Sequence, residues 1–307
     1  MTCRRIRTDD LRNNSPSGRT GFHVSLSTVN FSEGPRLEHA NPEFYLLIRI
    51  MVPAAAGNFG ASLSDIWTFS PATPQAGDPV IIDTDPGVDD AMALVLAAAS
   101  GMRIEGVTIV HGNGDDVREL GINANICLRL AGADPSVEVF LGDGKPVVEV
   151  AITEATHAGV DVHGADSLGQ VRPQTIASDF KFGSLSAKDF IYKRCSEMPG
   201  RITLVTLGPL TNVAACLREH PDLPGLVKRV VIMGGAVGEK RGNRTPSSEA
   251  NFADDPTAAH EVLTAGFSDI VLAPLDVTHQ LDLIALRKSL SESNGELAGV
   301  CVFIFTF

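Results

Sequence analysis

Twelve residues, Val80-Ile-Ile-Asp-Thr-Asp-Pro-Gly-Val-Asp-Asp-Ala91, constrain what this chain can fold into more than any other stretch. An apolar run ends in four carboxylates within eight positions, Asp83, Asp85, Asp89 and Asp90, and Pro86-Gly87 turns the chain between the two pairs. Acids packed this closely repel one another unless positive charge sits among them, and a hard divalent cation is the simplest source of it. Val80–Asp83 has the pattern of a short buried strand, and Val88–Ala99 is apolar enough for a helix packed on a sheet. Asp85 then falls at the carboxyl end of a strand, with Asp89 and Asp90 in the first turn of the next helix. A plainer reading covers half of this: acids in a first turn offset the helix macrodipole by roughly 0.3–1 kcal/mol each. It accounts for Asp89 and Asp90 but not for Asp83 and Asp85. A metal or catalytic role is the expectation.

From Asp78 onward, apolar strands alternate with helical patterns. Strands are predicted at Val80–Asp83, Ile104–Val110, Val137–Phe140, Ile202–Thr206, Arg229–Met233 and Ile270–Leu275. Helices are predicted at Asp89–Ser100, Val117–Ala131, Ala187–Met198, Leu210–Glu219 and Pro256–Ala265, with a shorter one near Leu283–Leu290. Such alternation means βαβ units, hence an α/β fold with an open, mainly parallel sheet and helices on both faces. Ligands of such sheets bind in the crevice outside the carboxyl ends of the strands. The stretch from Gly144 to Phe182, rich in Gly, His and Asp, reads as an excursion over that crevice.

Three parts are expected along the chain. Residues 1–77 are rich in Ser, Asn, Pro and Gly and read as a disordered leader or a mis-assigned N-terminus, with Met51 as a second start. Arg4, Arg5 and Arg7 hint at organelle targeting, but Asp9, Asp10, Glu33, Glu38 and Glu43 break the acid-poor signature of a transit peptide. Residues 78–298 form the α/β domain, and 299–307 an apolar, β-prone tail. The formal net charge of −12 argues against a nucleic-acid or anionic-membrane partner. Five scattered cysteines without a Cys-x-x-Cys pair suit a reducing, cytoplasmic setting and supply no zinc site.

Polar residues gather after the other strands. His111-Gly-Asn-Gly-Asp115 places Asn113 where a carboxamide can meet a sugar hydroxyl, although Asn and Gly are also ordinary turn residues. In Leu207-Gly-Pro-Leu-Thr-Asn212, Pro209 suits a first helical position and leaves the Leu207 carbonyl at a strand tip as a cation ligand. Asn243, Glu249 and Asn251 follow Val230-Val-Ile-Met-Gly-Gly235 and together favour a polar ligand, while His163 is the weakest candidate. Basic residues are sparse in these loops, so neutral hydroxyl-rich ligands such as ribosides fit better than phosphates. A cation can hold vicinal hydroxyls and a water while one carboxylate takes the water's proton.

Asp83-Thr-Asp-Pro-Gly-Val-Asp-Asp-Ala91 resembles the signature of the inosine/uridine-preferring nucleoside hydrolases. The resemblance continues, in order, through Gly112-Asn113, His163-Gly164, Leu207–Ala214, Met233–Gly235, Gly242–Thr245, Glu249–Asn251 and Leu275–Gln280. It implies a Rossmann-like fold and calcium-dependent hydrolysis of the N-glycosidic bond of ribonucleosides such as inosine or uridine, by a homo-oligomer. It further implies that Asp85 binds Ca²⁺ and acts as general base, that Asp90 and the Leu207 carbonyl are further ligands of the metal, and that Asp83 and His163 support the site. Asp89, Asn113, Met233, Asn243, Glu249 and Asn251 match ribose-contacting positions.

Members of that family continue into a His-Asp-Pro segment, which this sequence lacks before Phe307. A C-terminally truncated member with an incomplete calcium site is therefore expected, its activity in question. Two other classes compete. One is a non-catalytic fragment that binds a riboside or another subunit. The other is a haloacid-dehalogenase-like phosphatase, whose Asp-x-Asp pattern wants Thr or Val where this chain has Gly87.

Overall fold

The computed structural model describes residues 77–100, 102–114, 116–148, 163–170, 172, 180–238 and 242–279, plus two short N-terminal strands. Those strands are β1 (Arg4–Ile6) and β2 (Ser27–Thr28). Six further strands follow: β3 (Pro79–Thr84), β4 (Arg103–Ile109), β5 (Val139–Leu141), β6 (Thr203–Thr206), β7 (Arg229–Met233) and β8 (Ile270–Ala273). They form one sheet in the order β2-β1-β8-β7-β6-β3-β4-β5. Pairing from β8 to β5 is parallel throughout, and β1 adds antiparallel to β8.

The helices are α1 (Val88–Ala99), α2 (Val117–Leu130), α3 (Ala187–Glu197), α4 (Thr211–Glu219), α5 (Leu223–Leu226), α6 (Ala250–Asp254), α7 (Pro256–Thr264) and α8 (Leu275–Thr278). The strand period divides the core in two. Val80 and Ile82 of β3 join Val107 and Ile109 against Leu94 and Val95 of α1 and Leu120 and Ala124 of α2. Ile81 faces the other way and packs with Leu204, Val230, Ile232 and Ile270 against Ile191 of α3, Val213 of α4 and Val262 of α7. Each of the isoleucines at 81 and 82 is wholly buried, contributing about 2–3 kcal/mol by transfer from water. A central parallel strand covered on both faces reads as a continuous apolar run, which is what precedes Asp83.

The expected α/β architecture is therefore present, with a six-stranded parallel open sheet. Most strand bounds differ from the sequence reading by a residue or two, and two of the shifts have a visible cause. The last strand stops at Ala273 rather than Leu275, because Pro274 caps the short helix α8. The third begins at Val139 rather than Val137, whose N–H closes a turn on the Asp134 carbonyl. Helices α5, α6 and α8 were not anticipated; at four or five residues each they are too short for a helical period to show. The predicted helix near Leu283–Leu290 and the 299–307 tail lie outside the described residues, as do most of the leader and of the Gly144–Phe182 excursion.

The topology positions the site. From β3 the chain moves outward through β4 to β5, then returns to β6 on the other flank of β3 and continues through β7 to β8. The strand order thus reverses between β3 and β6, and their carboxyl ends splay at that switch point.

Candidate active site at the strand tips

Asp85 immediately follows β3 at the switch point and is buried. Its Oδ2 accepts the Asn113 backbone N–H at 2.9 Å, while its Oδ1 is buried and has no hydrogen-bond partner. Backbone walls the carboxylate on both sides. A Cβ on Gly112 would lie 2.0 Å from Asp85 Oδ2, and one on Gly208 would lie 2.4 Å from Oδ1. Glycine at these two positions is a condition for the carboxylate to sit where it does. Burial, then the negative charges of Asp90 and Asp89, push the Asp85 carboxyl well above its ordinary range.

Asp90 is the third residue of α1 and is buried too. Its Oδ1 accepts from the Thr84 hydroxyl, and its Oδ2 from the Gly87 N–H at 3.1 Å and the Asn113 side chain at 3.2 Å. The first-turn reading is thus realised as a cap on α1, and the same oxygen also meets Asn113. Burial, with Asp89 nearby, raises its carboxyl to about 7. Asn113 links the two acids, since its side chain also donates to the Asp85 carbonyl at 3.1 Å.

Asp89 diverges from its neighbour. Its side chain is 80% exposed, and its Oδ1 lies 3.9 Å from His163 Nδ1. His163 in turn accepts the Val88 N–H at 3.1 Å. The weakest candidate in the sequence is therefore seated over the first turn of α1, beside Asp89, and burial lowers the pKa of its imidazole.

From the other flank, Asn251 reaches both strand tips. Its side chain donates to the Leu207 carbonyl at 2.6 Å, the Met233 carbonyl at 3.1 Å and the Met233 sulfur at 3.2 Å. Glu249 caps α6 from a buried position, accepting from Asn251 N, Phe252 N and Gly235 N. Desolvation raises its pKa. Asn243 stands apart: it is exposed and its carboxamide oxygen accepts the Ala250 N–H at 2.8 Å.

Asp83 is held by a different set of partners, and its Oδ2, like Asp85 Oδ1, is buried without a hydrogen-bond partner. Its Oδ1 accepts from Thr108 at 2.6 Å and from Asn212 at 2.8 Å, which fits a supporting role. Burial lifts its carboxyl to about 7. Asn212 also donates to the Ile109 carbonyl and accepts the Asp143 N–H, tying the ends of β3, β4 and β5 together. Asp255 was missed outright. Its sequence signal, an acid directly before Pro256, marks a helix cap and nothing more.

Among the described residues, no three His, Cys, Asp or Glu side chains converge as a metal-holding group. The oxygen donors nearest to such a group are the carboxylates of Asp85 and Asp90, which share Asn113 as a partner, with the Leu207 carbonyl at the neighbouring strand tip. This set is hard and anionic, and the unpartnered buried oxygen of Asp85 lacks a cationic or hydrogen-bonding partner. It fits an oxygen-preferring divalent cation. A cavity of about 460 Å³ lies elsewhere, lined by Asp143, Lys145, Val147, Thr211 and Arg218, and none of the strand-tip acids borders it.

A doubly wound sheet with buried acids at its switch point defines an α/β protein built to hold a small polar ligand. The family model described as inosine-uridine preferring nucleoside hydrolase matches residues 80–305, and the chain belongs to that family of N-ribosyl hydrolases. It is 36% identical over 236 residues to probable uridine nucleosidase 2 of Oryza sativa subsp. japonica, covering 75% of this chain and 67% of that protein. It is 38% identical over 209 residues to the pyrimidine-specific ribonucleoside hydrolase RihA of Salmonella agona, covering 67% and 63%. Among solved structures, a plant nucleoside hydrolase superposes with a TM-score of 0.66 at 33% identity, over 75% of this chain and 70% of that one. The purine-preferring ribonucleoside hydrolase from Gardnerella vaginalis gives 0.64 at 28%, over 74% and 71%. The chain spans about two thirds of the length of the curated relatives it matches.

Proposed function

We propose that this chain hydrolyses the N-glycosidic bond of a ribonucleoside, releasing ribose and free base, with Ca²⁺ held by Asp85, Asp90 and the Leu207 carbonyl. The observation that carries the reading is Asp85: a buried carboxylate at the switch point, gripped through one oxygen by Asn113 N and with the other oxygen unengaged. When bound, the cation supplies Lewis acidity that makes a water a better nucleophile at neutral pH.

The chain's own groups account for the remainder. Asp85 Oδ1, the buried oxygen without a hydrogen-bond partner, takes the proton of the attacking water as general base. The C1′–N bond breaks with its electron pair going to the departing base, which takes a proton from solvent, and the negative charge of Asp89, Asp90 and Glu249 around the crevice stabilises the oxocarbenium-like sugar. Asn113, Asn251 and Met233 line the tips on either side and orient the ribose. His163, beside Asp89 over the first turn of α1, supports the site, and Asn243 is proposed to reach the ribose from its exposed loop.

Uridine is the first substrate to test, because relatives at 36% and 38% identity are named for uridine or pyrimidine ribonucleosides. Chromatographic release of uracil from uridine and hypoxanthine from inosine, with calcium and then with chelator, tests the proposal. Calcium-dependent release of either base is expected. No release from either nucleoside would refute hydrolysis by this chain.

A further inference from the structure

We propose that Asp255, acting through Thr211 and His111, is a positioning unit that holds the four strand-tip loops of the site in register. Its role in turnover rests on the hydrolase reading above. Asp255 is wholly buried between α6 and α7, in the segment that follows β7. Its Oδ1 accepts the Ala258 N–H at 2.9 Å, and its Oδ2 accepts both the Val147 N–H and the Thr211 hydroxyl at 2.7 Å. Val147 belongs to the loop after β5, and Thr211 opens α4 just after the tip of β6.

The chain of bonds continues in one direction. Thr211 has a single hydroxyl proton, which Asp255 takes, so the oxygen can only accept from His111 Nε2, 2.9 Å away. That fixes the neutral imidazole as the Nε2–H tautomer. His111 follows β4, and its own N–H bonds the Asp143 carbonyl in the loop after β5. The next two residues are Gly112 and Asn113, which wall and grip Asp85. One buried carboxylate thereby connects the loops after β4, β5, β6 and β7 to the base, without itself lining the crevice. Misplacing a catalytic group by about 1 Å is enough to cost on the order of 10²-fold in rate.

The test uses Thr211. T211V keeps the shape and removes both bonds, whereas T211S keeps the hydroxyl. For T211V a fall of about 10–100-fold in kcat is expected, with KM for uridine or inosine changed less than about threefold, and T211S restoring kcat to within about threefold. Amide hydrogen exchange is expected to quicken at least about tenfold at residues 111–114 and 143–148 while β7 keeps its protection. T211A, which removes the hydroxyl without adding bulk, gives the same two readouts if T211V does not fold. Unchanged exchange in those loops, or a serine variant no better than valine, would overturn the proposal. Should the unmodified chain release no base, the hydrolase reading fails alone, and the exchange measurement still decides the positioning unit.

Discussion

Asp85 and His111 carry the most informative perturbations of single groups in this molecule. D85N replaces a desolvated, raised-pKa carboxyl with a neutral carboxamide of the same shape. Base release is expected to fall by about 10²–10⁴-fold, the usual contribution of a general base. Without divalent cation, the urea midpoint of D85N is expected to equal or exceed that of the unmodified chain, since a buried, unpaired carboxylate has been removed. A clearly lower midpoint would show that the carboxylate stabilises the fold rather than waiting for a cation. His111 offers a pH test with a defined sign. Its pKa is lowered by burial, against the opposing charges of Asp254, Asp255 and Asp143. Above about pH 6.5 both states hold a neutral imidazole. As pH falls below that value the unfolded chain binds a proton that the folded one resists, so stability from this group is lost on acidification. The difference in Tm between the unmodified chain and H111Q should therefore narrow from pH 7.5 to pH 5. A gap independent of pH would refute the assignment.

Elements contribute through their ends. Strand β3 delivers Asp85 because its apolar residues are anchored on both faces of the sheet, and α1 delivers Asp90 because the same carboxylate caps the helix. Asn212, in the first turn of α4, joins the ends of β3, β4 and the loop after β5 with three hydrogen bonds. N212L should destabilise the fold by about 2–4 kcal/mol, since buried partners are left unsatisfied. The loss should be read as a shift in the denaturation midpoint; a change under about 0.5 kcal/mol would mean that water replaces the carboxamide. Strands β3, β4, β6 and β7 and the five longer helices were all legible as periodic runs. The short helices were not, because one turn carries no repeat.

For the whole molecule the relevant quantity is net charge. A chain with a formal charge of −12 that buries several acids at the carboxyl ends of its strands should gain stability from a cation that binds the folded state alone. Calcium at about 100 times its dissociation constant should add about 2.7 kcal/mol, seen as a rise in Tm that chelator reverses. Magnesium, which demands near-octahedral geometry and keeps its waters, should do less. A Tm indifferent to calcium would remove the cation from the proposed function.

The sequence by itself determined the α/β class, the acidic strand tip, and the family whose motifs follow one another from Asp83 to Gln280. Local physics suffices for these: strand and helix periods, turn residues, and acids too dense to be left without a partner. Only the tertiary structure decided which acids share the crevice. Asp83 and Asp85 lie two residues apart, yet one is bonded to Thr108 and Asn212 and the other to the Asn113 backbone. Asp89 and Asp90 are adjacent, yet successive helical positions diverge by about 100°, and one is exposed while the other is buried. The Asp255–Thr211–His111 chain joins residues up to 144 positions apart. No short-range pattern encodes such a link, because the order of strands in the sheet brings those loops together.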